Sequence, residues 1–95
     1  MNIKITESKI IGNWISKNGS IIKDDVTKRI EFLIRNNLKK IATDTSGWDV
    51  LYIDLSDGRL WELVYLQSEM HGGGPPSLLC ISKEEAIIKY ALANF

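Results

Sequence analysis

Two turn dipeptides, Asn18-Gly19 and Asp57-Gly58, place the strongest constraint on the fold of this chain. Each separates two apolar segments with strand-like composition. Asn-Gly and Asp-Gly favour the tight turns that join neighbouring antiparallel strands. The first dipeptide predicts a hairpin from a strand near 10–15 to a strand starting at 21. The second predicts a hairpin between strands at 50–54 and 59–67.

Helical signals occur twice. Apolar residues recur at helical spacing from Val26 to Leu38, so we predict an amphipathic helix at 25–37. Asp24 or Asp25 offers a carboxylate to cap its first turn. A capping box from Ser82 to Glu85 predicts that a second helix begins at 83 and runs to 92.

The remaining apolar segments predict strands at about 39–44 and 78–81, although Leu38–Thr43 also fits a last helical turn. The predicted order is ββαββββα. Because hairpin signals outnumber crossovers, we expect an α+β fold with a mainly antiparallel sheet of five to six strands. Both helices are expected on one face of that sheet. Strand 59–67 is mostly apolar on both sides, which predicts a central position, covered on both sides or on one side by a partner.

The length and composition narrow the class of protein. Ninety-five residues make a single domain, 1–95, with little room for a deep substrate cavity. No apolar run is long enough to span a membrane, and residues 1–10 lack the apolar centre of a secretory signal. The single cysteine, Cys80, excludes an internal disulfide and fits a reducing compartment. We therefore expect a cytoplasmic protein.

The zero net charge conceals an uneven distribution. Residues 1–42 carry nine Lys and Arg against four acids, whereas residues 43–71 carry six acids against Arg59 alone. The acidic segment can present a negative surface to a basic partner. Clustering of acids in turns is the simpler alternative. The balanced total charge argues against a nucleic-acid partner.

The loop His71-Gly72-Gly73-Gly74 resembles the oxyanion-hole loop of esterases. The chain has no G-x-S-x-G nucleophile motif and no second histidine to act as a base. His71, Glu69 and Cys80 are too few for a zinc site. We therefore expect no catalytic residue, no metal and no cofactor at this loop.

Three carboxylates, Asp49, Asp54 and Glu62, are predicted to lie on neighbouring strands. Acid–base catalysis needs such a group in a cleft. Glu62 alternates with Leu60 and Val64, so we expect it to be partly buried and paired with basic cross-strand neighbours. Of the three tryptophans, Trp48 follows a Ser-Gly turn and is the one expected to be partly exposed.

Five motifs follow one another in order and cover nearly the whole chain: Gly12-x-Trp14, Lys28–Glu31, Ile41–Trp48, Asp57-Gly58-Arg59-x-Trp61-Glu62 and Gln67–Pro76. Taken together, they resemble immunity protein family 27, from bacterial polymorphic-toxin and contact-dependent inhibition systems. The last two motifs are the most specific. The family pattern often has proline at the position of Leu55 and an aromatic residue at the position of Leu60.

The resemblance implies a cytoplasmic protein that binds one cognate toxin domain and blocks it without catalysis. Many such toxins are nucleases with basic active sites, and an RNase is the favoured activity. The alternatives are a generic interaction module or homodimer that uses the apolar face of strand 59–67, and a small hydrolase built around His71. The expected toxin contacts are Asp44, Trp48, Asp49, Asp54, Asp57, Glu62, Glu69, Met70 and His71.

Overall fold

The computed structural model describes residues 3–66 and 74–92. Within them the chain forms seven strands and two helices, which confirms the α+β class. Neither helix is long and apolar enough to cross a membrane. The elements are β1 (Lys9–Ile11), β2 (Trp14–Lys17), β3 (Ser20–Lys23), α1 (Asp25–Asn36), β4 (Leu38–Thr43), β5 (Val50–Asp54), β6 (Leu60–Val64), β7 (Ser77–Ile81) and α2 (Lys83–Lys89).

Five of the strands form one antiparallel sheet in the order β1-β7-β6-β5-β4. The strand predicted to be central, β6, lies in the middle, and every residue from Leu60 to Val64 is buried. The ambiguous segment after α1 is the edge strand β4. The exposed residues Lys39 and Lys40 lie on this edge, where charged side chains oppose pairing with other chains.

The helices cover opposite faces of the sheet, so the prediction that both pack on one face is wrong. Ile30 of α1 packs in one buried cluster with Trp61, whereas Ala86 and Tyr90 pack in a second cluster with Leu60. Successive residues of a strand point to opposite faces. Because β6 is apolar on both sides, each face needs its own cover.

The strand predicted near 10–15 is divided between two sheets. β1 pairs with β7, whereas β2 pairs with β3 in a separate two-stranded sheet. The break lies at Gly12, whose N–H donates to the Pro76 carbonyl at 3.0 Å. A Cβ at this position would lie 2.5 Å from both the Pro76 oxygen and Thr27 Oγ1. Only glycine allows the chain to leave the sheet so close to these atoms.

Local capping signals set the starts of both helices as predicted. Asp24 is the N-cap of α1 and accepts a hydrogen bond from the Thr27 N–H at 2.7 Å. The capping box of α2 is formed, because the Glu85 N–H donates to Ser82 Oγ and the Ser82 N–H donates to the Glu85 carboxylate. α2 ends earlier than predicted, and Ala91 beyond it has a positive φ of 51°.

Candidate functional site

The antiparallel order brings two exposed segments to the same end of the sheet. Residues 44–49 connect β4 to β5, and β6 runs toward them because Val50 pairs with Leu63. The residues that follow β6 therefore lie beside this connection. We call this region the acidic end and define it by Asp44, Trp48, Asp49, Tyr65 and Leu66.

Asp44 organises the turn of the acidic end. Its Oδ1 accepts hydrogen bonds from Ser46 Oγ at 2.7 Å and from the N–H groups of Gly47 and Asp49 at 3.1 and 3.3 Å. The Ser46 hydroxyl is the main cause that lowers the pKa of Asp44. The turn is thus fixed around an ionised carboxylate, which is a form of pre-organisation.

Trp48 projects from this fixed turn into solvent. The residue is 65% exposed, which confirms the expected exposure of this tryptophan. The Tyr65 ring meets it edge-on, with 6.3 Å between ring centroids and 78° between planes. Leu66 beside them is also exposed. Packing inside the chain does not account for this exposed aromatic group, and such groups are frequent at protein interfaces.

Lys89 joins Asp49 to Glu62 behind the turn. Its Nζ donates to Asp49 Oδ2 at 2.8 Å and to Glu62 Oε2 at 2.7 Å, and the Tyr90 hydroxyl donates to the same Glu62 oxygen at 3.0 Å. Burial lowers the pKa of Lys89, but the hydrogen bonds to both carboxylates outweigh it and raise the pKa. Burial and then the bond to Glu62 raise the pKa of Tyr90.

Glu62 is buried and paired, as predicted, with 8% of its surface exposed. Its basic partner, however, is Lys89 of α2 and not a cross-strand neighbour. Its carboxylate already accepts hydrogen bonds from Lys89 and Tyr90 inside the fold, and through Lys89 it stabilises the acidic end. Glu62 does not offer a free carboxylate to a partner.

Asp54 and Asp57 lie at the other end of β5, away from the acidic end. Asp54 is 2% exposed, and its Oδ1 accepts from both the N–H and the hydroxyl of Ser56. Asp57 accepts from the backbone and the Nε of Arg59 at 2.9 and 2.7 Å. Both acids therefore shape the β5–β6 turn, and the burial of Asp54 removes it from the accessible surface.

Two arginines hold residues 4–7 against the sheet. Arg59 Nη1 donates to the Glu7 carbonyl at 2.6 Å and Nη2 to the Lys4 carbonyl at 3.0 Å, with its guanidinium 5.1 Å from the Trp61 ring centroid. Arg29 donates twice to the Glu7 carboxylate, which lowers the pKa of Glu7 to about 2. Arg59 is the one Lys or Arg in the acidic segment 43–71. Its guanidinium has a structural role, because it holds residues 4–7 in place.

Sequence reasoning missed three residues of this site. Tyr65 and Leu66 were read only as part of a long strand, but β6 ends at Val64 and leaves them at the acidic end. Lys89 gave no signal, because its carboxylate partners are distant in sequence. The expected contacts Glu69, Met70 and His71 lie outside the described residues and stay predictions.

Of the alternative interface on strand 59–67, the part that forms β6, Leu60–Val64, is not accessible. Both faces of β6 are covered, one by the cluster around α1 and the other by the cluster around α2. Within residues 3–66 and 74–92, no three His, Cys, Asp or Glu side chains form a group that could hold a metal ion. The acidic end is therefore the best-supported candidate among the predicted sites that the structure describes.

Comparison with known proteins gives a match to a protein family. A family model described as immunity protein 27 matches residues 16–82. The matched range covers well over half of the chain and contains β3, α1 and strands β4 to β7. No curated protein and no solved structure matches the chain.

Proposed function

Because the chain belongs to the immunity protein 27 family, we propose that its acidic end binds one cognate bacterial toxin domain and neutralises it. The proposal rests on the exposure of Trp48. Its indole is largely exposed, and it lies on a hydrogen-bonded turn between the carboxylates of Asp44 and Asp49. A rigid aromatic side chain loses little conformational freedom on binding and often supplies much of the interface energy.

The charge of the acidic end favours a nuclease as the toxin. Nuclease clefts are basic because they bind phosphates. Asp44 and Asp49 can approach such a cleft, and Asp49 can exchange its ion pair with Lys89 for one with a toxin cation. Opposite charges on the two surfaces increase the rate of encounter. In this account the carboxylates occupy positions that substrate phosphates would take.

Neutralisation of this kind needs contact and no chemistry. The chain acts as a stoichiometric inhibitor, so one molecule inactivates one toxin domain. We place this event in the bacterial cytoplasm, where a nuclease toxin of a polymorphic or contact-dependent inhibition system meets its substrate. The free thiol of Cys80 fits that reducing compartment.

The test uses the toxin domain encoded directly upstream of this chain's gene, with its catalytic residue replaced. The variant Asp44→Asn/Asp49→Asn removes two charges and keeps the side-chain shapes. The matched control, Asp25→Asn/Glu84→Gln, removes two exposed charges from the first turns of the helices. At low salt we expect the first variant to associate about tenfold more slowly, and the control to associate nearly normally.

Measurements at several salt concentrations distinguish an effect of charge on the association rate from a general loss of shape complementarity. The difference in association rate should shrink as ionic strength rises, because added ions screen exposed charges. Equal association rates for the two double variants would exclude the acidic end as the contact. Co-expression with the active toxin tests neutralisation itself, and a wild-type chain that neither binds nor protects cells would overturn the proposed function.

A further inference from the structure

The β2–β3 hairpin lies outside the main sheet and is largely uncovered. Among the described residues, each of its strands pairs only with the other. All four residues of β3 are exposed, and Ile21 is 64% exposed. Ile15 and Ile22, opposite each other on the other face, are exposed as well. A two-stranded hairpin with uncovered faces is only marginally stable in water. A partner that covers these apolar side chains would therefore stabilise the hairpin.

The turn geometry shows which backbone groups of β3 face outward. Asn18 and Gly19 both have positive φ, 52° and 80°, as in a two-residue type I′ turn. In such a hairpin the pair next to the turn, Lys17 and Ser20, exchanges backbone hydrogen bonds. The alternation of antiparallel pairs then points the N–H and C=O of Ile21 to the open edge, and those of Ile22 toward β2.

The base of the hairpin is firmly attached to the rest of the fold. The Thr27 hydroxyl accepts from the Asn13 N–H and donates to the Asn13 carbonyl, both at 3.1 Å. The Asp24 N–H donates to the same carbonyl at 3.1 Å, and Lys23 pairs with Glu31 of α1 at 2.7 Å. The open edge of β3 is thus presented in a defined orientation.

The hairpin base lies at the same end of the sheet as the acidic end. β1 ends at Ile11, which pairs with Ser77, and Ser77 pairs in turn with Val64 at the end of β6. β1 and β4 are the two edges of the five-stranded sheet, so the hairpin and Asp44 are separated by roughly 20 Å across the strands. One protein domain can contact both.

We propose that the open edge of β3 binds an extended strand of the cognate toxin and forms a three-stranded sheet with the hairpin. This inference rests on the proposed function, because the partner is the same toxin domain and the two surfaces share one end of the molecule. Backbone hydrogen bonds supply affinity in such strand addition, and pockets for alternate side chains supply specificity. Ile21 and Ile22 point to opposite faces, so the added strand has apolar residues on both sides.

Hydrogen exchange tests the proposal on the wild-type chain, using the catalytically inactivated toxin domain from the upstream gene as the probe. In the free protein the Ile21 amide should exchange rapidly, whereas the Ile22 amide, bonded within the hairpin, should be slower. In the complex the Ile21 amide should slow at least tenfold. Rapid exchange of Ile21 in a fully formed complex would overturn the proposal.

A pair of substitutions at one position gives a second test. Ile21→Pro removes the outward N–H without removing a bond within the hairpin, and should weaken toxin binding at least tenfold. Ile21→Thr keeps the N–H and the β-branched shape, and should weaken binding less. Equal affinities for Ile21→Pro and wild type would refute strand addition. They would not contradict the proposed contact at the acidic end. A toxin that does not bind the wild type would instead refute the proposed function.

Discussion

At the scale of single residues, acids of the same sequence segment, residues 43–71, have different roles in the structure. Asp44 organises a turn, Glu62 is buried beneath it, and Asp49 lies between solvent and Lys89. Composition predicted an acidic segment, but charge counts do not show where each carboxylate points. The burial of Glu62 was predictable from its apolar neighbours on one strand face, whereas its partner Lys89 depends on the packing of α2.

Glu62→Gln separates a supporting role from a contact role. The substitution removes the charge that holds Lys89 while keeping an acceptor for the Tyr90 hydroxyl. We expect the free energy of unfolding to fall by about 1.5–3 kcal/mol, the range for a hydrogen bond to a charged group. Chemical denaturation measures this change, and Glu84→Gln on the exposed side of α2 should change stability by less than about 0.5 kcal/mol.

The affinity of Glu62→Gln for the toxin domain should change little, in contrast to its stability. If Glu62 only supports the acidic end, Glu62→Gln should bind the toxin domain within a few-fold of wild type under conditions where it is folded. Unchanged stability together with a large loss of affinity would instead assign Glu62 to the interface.

At the scale of elements, the turns and helix caps could be predicted from the sequence, because the interactions that form them are local. Asn18-Gly19 forms its turn, and Ser82 and Glu85 form the capping box, within a few residues of chain. The division of the first strand at Gly12 was not predictable. Its cause is close contact with Thr27 and Pro76, which are distant in sequence.

Gly12→Ala tests the cause of that division. A Cβ there would meet two oxygen atoms at 2.5 Å, one of them in the backbone, so the chain must shift. We expect a loss of about 1–3 kcal/mol in the free energy of unfolding, as for an overpacked site. Ser16→Ala, at an exposed position of β2, is the control and should be nearly neutral. A Gly12→Ala variant as stable as wild type would show that this close approach is not required.

At the scale of the whole molecule, the sheet is covered on both faces and its two ends differ. The apolar pattern on both sides of β6 predicted a central position, covered on both sides or on one side by a partner, but a pattern within one strand cannot show which helix covers which face. Asp49 and Asp54 are separated by about 17 Å, because they lie five residues apart along extended chain, so the acidic segment contributes side chains to both ends of the sheet. The acidic end carries the exposed aromatic group and the proposed contact with the toxin.

The affinity of Trp48→Ala for the inactivated toxin domain, measured by calorimetry, tests this claim most directly. We expect a loss of about thirtyfold or more, which corresponds to about 2 kcal/mol, the level of an interface hot spot. Leu55→Ala is the matched control, because Leu55 is also largely exposed but lies in the β5–β6 turn at the other end of β5. It should bind as wild type does. Wild-type affinity for Trp48→Ala, or a comparable loss for Leu55→Ala, would contradict the assignment of the acidic end.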